Sequence, residues 1–231
     1  MTYPGGKGGA GVHQKIINQQ PPHDTYVEPF LGGASVLFYK RPARVSIGVD
    51  LAGAALEEAE LLFAHRQDVE LVRANAIEWL RGYHFSGRDL VYCDPPYVRS
   101  ARASAADIYL YEMSDLDHAR LLTVLCSLPC MVQISGYWSA LYAERLRGWR
   151  MIEFQAMTRR GPATECLWMN YPEPAALHDF RFLGSDYRER ERIRKKAARW
   201  ARKVAALPEL ERQAVLSAAL AGFGGGHHRQ F

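Results

Sequence analysis

Apolar positions along most of the chain alternate between two rhythms. Short runs rich in branched and aromatic residues read as strands: "TYVEPF" (25–30), "RVSIGVD" (44–50), "VELVRA" (69–74), "DLVYCD" (89–94) and "CMVQIS" (130–135). Between them the apolar residues recur at helical spacing. "LGGASVLFYKR" is a turn into a helix, and "LAGAALEEAELLFAHR" (51–66), "AIEWLRGY" (76–83) and "SDLDHARLLTVLCSL" (114–128) are helices. The last opens on Ser and Asp residues suited to capping. Strands alternating with helices of this length predict βαβ units and an α/β fold with a mainly parallel sheet. After "GYWSALYAERLRG", the β-rich pieces "WRMIEFQAM" and "TECLWMNY" are separated only by "TRRGPA", which predicts a hairpin and an antiparallel strand at the sheet edge. From Phe182 onward the pattern is helical, broken once at Pro208.

Composition fits this picture. At 231 residues, 48% hydrophobic and 23% charged, the chain is an ordinary globular protein with room for one large domain and an appendage. No apolar run reaches the roughly 18–20 residues that span a bilayer, and "MTYPGGKGGAG" lacks the apolar core of a signal peptide. The expected location is therefore cytoplasmic, in contact with the nucleoid, with no membrane partner. Cys93, Cys126, Cys130 and Cys166 form no C-x-x-C pair and have no histidine pair nearby, so they read as reduced thiols rather than metal ligands. Charge is uneven: Arg181 to Lys203 holds ten Lys/Arg against Asp186, Glu189 and Glu191, or +7, leaving 4 − 7 = −3 for the rest. We expect a catalytic domain over 1–178, a basic helical extension over 179–222 and a disordered tail over 223–231. A basic segment of this kind fits a polyanion partner or a solvated helix face.

The chemistry-bearing residues fall at the carboxyl ends of the predicted strands, where doubly wound sheets bind ligands. In "VEPFLGGASV" a strand ends and two glycines permit a tight turn before a helix. Asp50 ends the next strand, where an acid either holds ribose hydroxyls or caps the following helix. Asn75, after the third strand, either caps a helix or reads a cofactor's adenine edge. Lys7 sits among glycines without P-loop spacing. In "CDPPY", Asp94 and the Pro95 carbonyl are acceptors, the prolines stop the strand, and Tyr97 supplies a ring. Two acceptors and a flat face suit an exocyclic amine, with its two N–H donors and adjoining ring.

"YPGGKG", "EPFLGGASV", the strand ending in Asp50 and "CDPPY" together resemble the motifs of the α-group, Dam-like N6-adenine DNA methyltransferases. "SDLDHARLL", "QISGYWSALY" and "ECLWMNY" follow in the family's order, so the resemblance spans residues 3–171. It implies the Rossmann-like fold of S-adenosylmethionine-dependent methyltransferases, with S-adenosylmethionine as cofactor. It also implies transfer of a methyl group to an adenine flipped from duplex DNA. The cofactor site implied comprises Tyr3, Pro4, Lys7, Phe30, Gly32, Gly33, Ser35, Asp50, Asn75 and Asp94. The implied catalytic residues are Asp94, Pro95, Pro96 and Tyr97. No metal is implied.

The chain departs from the family at Ala34, where a glycine is common, and in the short stretch between Asp50 and Asp94. Larger members place a target-recognition domain there. DNA contacts are therefore expected from a reduced recognition segment, "VRSARASAADIYLYE" (98–112), through Arg99, Arg102, Tyr109 and Tyr111. Arg159 and Arg160 in the hairpin loop, and Arg194, Lys195 and Lys196 in the basic helix, are further expected contacts. A small footprint suits a homodimer, and the apolar final helix is a candidate interface. No PD-(D/E)xK nuclease pattern is present, which fits a solitary bacterial or phage enzyme rather than a fused restriction–modification protein. Two rivals remain open: an RNA amino-methyltransferase acting on ribosomal RNA, and a catalytically silent DNA-binding protein of the same fold.

Overall fold

The computed structural model describes residues 6–9, 11–102, 109–158 and 161–224. Among them, seven strands form one sheet: β1 (Thr25–Glu28), β2 (Val45–Asp50), β3 (Val69–Arg73), β4 (Asp89–Cys93), β5 (Met131–Gly136), β6 (Arg150–Thr158) and β7 (Gly161–Met169). Their order is β3-β2-β1-β4-β5-β7-β6. The first five are mutually parallel, and β7 runs antiparallel between β5 and β6. The fold is a Rossmann-like α/β sheet whose edge is closed by an antiparallel hairpin.

The helices are α1 (Val12–Ile17), α2 (Ser35–Tyr39), α3 (Gly53–Leu62), α4 (Ala76–Gly82), α5 (Asp115–Ser127), α6 (Ala140–Arg145), α7 (Tyr187–Ala205) and α8 (Glu209–Gly224). Helices α1 to α6 cover both faces of the sheet, which is why β1 and β4 are buried at every position. Alternation along each strand divides the core in two. Val27, Val49, Val91 and Ile134 pack with Leu80 of α4 and Leu121, Leu122 and Leu125 of α5. Tyr26, Leu90, Tyr92 and Met169 point to the other side, against Ile16, Ile17, Leu37 and Leu56. Ser114 caps α5 in a reciprocal capping box with Asp117.

Several boundaries differ from expectation for local reasons. The first strand stops at Glu28 because Pro29 has no N–H for the ladder, and Leu31 turns back to donate to the Val49 carbonyl at 3.1 Å. The hairpin strands absorb most of "TRRGPA", pairing as far as Thr158 with Gly161; Arg159 and Arg160 lie outside the described residues. Helix α1 was not anticipated, although Val12, Ile16 and Ile17 are buried at helical spacing. Its glycine-rich approach hides that signal.

The chain divides into two compact units, Met1–Phe182 and Leu183–Phe231. Residues 179–182 stay with the first unit because Asp179 accepts from the Arg41 N–H at 2.8 Å, while Arg181 donates to the Tyr39 carbonyl at 2.8 Å. The second unit is α7 and α8. No residue of α7 is buried, and α8 leaves Leu210, Leu216 and Leu220 exposed. Helix α8 continues to Gly224, into the segment expected to be tail; 225–231 lie outside the described residues. Among the described residues the four cysteines are free, no His/Cys/Asp/Glu group is placed to hold a metal, and no helix is long and apolar enough to cross a membrane.

Beneath the carboxyl end of β1, Glu28 is buried and its Oε2 accepts from Tyr26 Oη at 3.0 Å and the Leu37 N–H at 3.1 Å. Burial pushes its carboxyl up to about 8; the Asp94 carboxylate adds to the rise, and the hydrogen bonds oppose it. A folded-state pKa above the unfolded one means the folded chain holds the extra proton, so Glu28 removes stability as pH climbs from about 4.5 to about 8. Glu28→Gln should therefore lie within about 1 kcal/mol of the parent near pH 5 and exceed it by on the order of 4 kcal/mol at pH 8. Urea unfolding at both pH values checks this; a constant difference would mean Glu28 does not titrate in that window.

Candidate functional site

The strand order reverses between β1 and β4, and a crevice opens at their carboxyl ends. Its floor is the loop after β1. Gly32 at φ 47° and Ala34 at φ 52° turn the backbone left-handed, and the Ala34 N–H closes the turn on the Leu31 carbonyl at 2.7 Å. Ala34 is the alanine that replaces a glycine of the resembled motif. It keeps the loop's shape while holding a conformation that costs an L-residue about 1 kcal/mol. Asp50, the last residue of β2, locks this loop to its strand. Its Oδ2 accepts from the Gly32 N–H at 2.9 Å and its Oδ1 from the Ala52 N–H at 2.8 Å. Asp50 does not cap α3, whose N-cap is Ala52. Asn75 does cap α4, its side chain accepting from the Ile77 and Glu78 N–H groups, while it also borders the crevice.

These elements enclose a cavity of about 250 Å3. Lys7, Phe30, Gly32, Gly33, Ser35, Asp50, Asn75, Asp94 and Pro96 all line it, so most of the residues expected from sequence converge. Tyr109 and Tyr111 join them from the far side, bringing part of the 98–112 segment to the same mouth. Tyr3 and Pro4 lie outside the described residues.

Asp94 follows β4 directly and sits at the edge of the cavity. Its Oδ1 receives Lys7 Nζ at 2.8 Å and Ser135 Oγ at 2.8 Å. Ser135 is itself held by Tyr92 Oη at 3.1 Å, so β4 and β5 jointly fix the carboxylate. With Oδ1 occupied twice, Oδ2 is the oxygen left to accept from a ligand. Pro95 is buried behind it. Tyr97 is 5% exposed and does not line the cavity. Its hydroxyl accepts from Lys7 Nζ at 2.7 Å and donates to Glu165 Oε2 at 2.9 Å, and the Tyr137 ring meets it edge-on at 4.8 Å. Tyr97 is thus an anchored strut, and the aromatic surfaces facing the cavity belong to Phe30, Tyr109 and Tyr111.

Glu165, absent from the expected set, is the hidden member of this cluster. It lies on β7 with its carboxylate 3.5 Å from Lys7 Nζ. Burial raises its pKa, with the Asp94 carboxylate adding and the Lys7 ammonium opposing. Burial alone would lower the Lys7 pKa, but Asp94 and Glu165 outweigh it and the net shift is upward. Lys7 stays charged.

The expected DNA contacts separate into different roles. Arg102 is not offered to a ligand: its guanidinium forks both oxygens of Glu112 at 2.9 and 2.6 Å, and its Nε donates to the Tyr97 carbonyl at 2.5 Å. At 4% side-chain exposure it is an internal brace, with Tyr109 stacked against it. Arg99 lies in an exposed 3-10 turn, and Tyr111 is exposed at the cavity rim. In the second unit, Arg194, Lys195 and Lys196 are exposed, and Arg194 is forked to Glu191.

No family model matches the chain, and no curated protein matches it. Among solved structures, it is similar to a precorrin 8w decarboxylase from Methanobacterium thermoautotrophicum (14% identity, TM-score 0.49, 74% of this chain and 94% of that one). It is also similar to an rRNA methylase from Streptococcus thermophilus (13% identity, TM-score 0.46, 68% and 92%). A third likeness is to a candidate methyltransferase from Streptococcus mutans in complex with SAH (10% identity, TM-score 0.47, 68% and 94%). With TM-scores below 0.5, a functional reading rests on the site itself.

Replacing Lys7 with methionine should strand the buried Glu165 and the half-buried Asp94 and destabilise the fold by about 3 kcal/mol at pH 7. Without the ammonium, the already raised Glu165 pKa rises further, so the folded chain binds an extra proton and the deficit shrinks as pH falls. Urea titrations at pH 5 and 7 check this; equal losses at both would show that the cluster is not electrostatically coupled.

Proposed function

We propose that this chain is an S-adenosylmethionine-dependent methyltransferase acting on the N6 amine of adenine in duplex DNA. The observation that carries the reading is Asp94: a carboxylate at the carboxyl end of β4 that lines the cavity and is immobilised through one of its oxygens.

The cavity suits the cofactor. Asp50 has each oxygen engaged by one backbone N–H and retains lone pairs for a pair of ribose hydroxyls. Phe30 and the left-handed Gly32 turn offer an apolar and close-approaching floor, and Asn75 and Ile77 border the side where an adenine would lie. Asp117 adds acidity to the rim, favourable to a cationic sulfonium. When bound, S-adenosylmethionine supplies an electrophilic methyl group.

The chain's own contribution is orientation. Asp94 Oδ2 accepts one N6–H, and the Pro95 carbonyl, in a stretch where two prolines supply no N–H, accepts the other. Holding both N–H bonds localises the nitrogen lone pair and aims it at the methyl group, so the rate gain comes from positioning rather than from a strong base. As the nitrogen takes the methyl group, the methyl–sulfur bond would break to leave a thioether, and the N6 proton would pass to solvent, directly or by way of Asp94, so Asp94 need not keep it. Tyr109 and Tyr111 are the rings at hand to stack on a base drawn out of the duplex.

Asp94→Ala should abolish methyl transfer, by at least about 10^3-fold, while the dissociation constant for S-adenosylmethionine changes by only a few fold. Asp50→Ala should do the reverse, weakening cofactor binding by about tenfold or more. Calorimetry and radiolabel transfer to duplex DNA and to ribosomal RNA check both together. Label on ribosomal RNA alone would overturn the substrate assignment, and residual transfer by Asp94→Ala would overturn its role.

A further inference from the structure

Helix α7 has a charged side that the catalytic reading leaves unused. At about 100° per residue, Arg188, Arg192, Lys195, Lys196, Arg199, Arg202 and Lys203 fall in one stripe roughly 120° wide and about 22 Å long. All seven are exposed. Arg192 pairs with Glu189 at 3.3 Å; the other six form no salt bridge among the described residues. Arg190 and Arg194 lie off the stripe, on the side that also carries Ala197 and Ala201, and Arg194 is held by Glu191. Spacing therefore sorts the basic residues: Lys195 and Lys196 belong to the charged face and Arg194 does not.

We infer that this stripe is a contact for the phosphate backbone of duplex DNA, independent of base sequence. The inference rests on DNA being the substrate. A helix about 10–12 Å across fits the roughly 12 Å major groove of B-form DNA, and cations spread over a third of its circumference reach the phosphates on both walls. The deep, narrow major groove of an RNA duplex does not admit such a helix. An anionic membrane is a poorer match, because Arg190 and Arg194 would have to enter the apolar layer opposite the stripe. Seven cations in a row, rather than one or two placed to read an edge, signal affinity without specificity.

The test is binding of a fluorescent DNA duplex by the full chain, without cofactor, over a salt series. Glutamine keeps helix propensity, and circular dichroism verifies that α7 stays folded. The variant Lys195→Gln/Lys196→Gln/Arg199→Gln/Arg202→Gln should reduce the slope of log K against log salt by about 3–4, and Arg199→Gln alone by about one. Arg190→Gln, which removes the same charge from the other side, should change it by less than half as much. An unchanged slope in the fourfold variant overturns the inference. So does an equal effect of Arg190→Gln and Arg199→Gln, which would reduce the stripe to net charge. Loss of binding to phosphatidylserine vesicles with DNA binding intact would assign the face to a membrane and also overturn it. Methyl transfer by the parent protein is scored separately: if duplex DNA is not methylated but the slope behaves as expected, the substrate reading fails and the DNA contact stands.

Discussion

Lys7 Nζ lies 2.8 Å from Asp94, 3.5 Å from Glu165 and 2.7 Å from the Tyr97 hydroxyl, almost entirely out of water. Three parts of the chain far apart in sequence meet there: the glycine-rich head, the loop after β4 and strand β7. A half-buried and a buried carboxylate facing the same point would repel each other without a cation between them. The ammonium, with Ser135 and Tyr92 behind it, holds the Asp94 carboxylate in place at the crevice edge. The rest of the site is arranged around that group. Arg102 and Glu112 brace the following loop onto the Tyr97 carbonyl, so the position of Asp94 is transmitted to Tyr109 at the cavity wall.

A second lock is independent of the first. Asp50 ties the left-handed Gly32 turn to the end of β2 and so fixes the floor of the cavity from the opposite side of the topological switch. The two locks answer different needs on the proposed reading. One presents an acceptor to a base, and the other shapes a bed for a nucleoside. Their separation on different strands explains why loss of either should affect one ligand far more than the other.

How much of this could be read from sequence depended on how local each signal was. The strand end at Asp94-Pro95 was legible because proline restricts the backbone whatever surrounds it, whereas the stop that Pro29 imposes at Glu28 was read through. Phe30, Asp50, Asn75 and Asp94 could be grouped because parallel strands deliver their carboxyl ends to one edge. Glu165 was not legible: its inward direction depends on β7 pairing antiparallel to β5 in one register, with Gly136 opposite Cys166. Arg102 was misjudged because an arginine in a polar loop reads as a surface cation until its partner, Glu112, is seen folded back on it. Tyr97 looked like an open stacking face, and only the structure reveals its hydroxyl fixed between Lys7 and Glu165. The angular sorting of α7 was present in the sequence, but a count of charges does not see it.

The distribution of charge links the crevice to the basic helix. Carboxylates outnumber cations on the cavity lining: Asp50, Asp94, Glu112 and Asp117 border it against the ammonium of Lys7, while Glu28 is held largely protonated and Arg102 offsets Glu112. Such a lining welcomes a sulfonium and tolerates a neutral base, but it repels phosphate. A polyanion that must deliver one base there therefore needs cations elsewhere to offset the repulsion of its backbone. The chain concentrates net positive charge in one segment: residues 181–203 hold +7 while the remainder sums to −3. On the proposed reading, acidity at the cavity and basicity along α7 answer complementary demands of a substrate that is neutral at its reacting group and charged along its backbone.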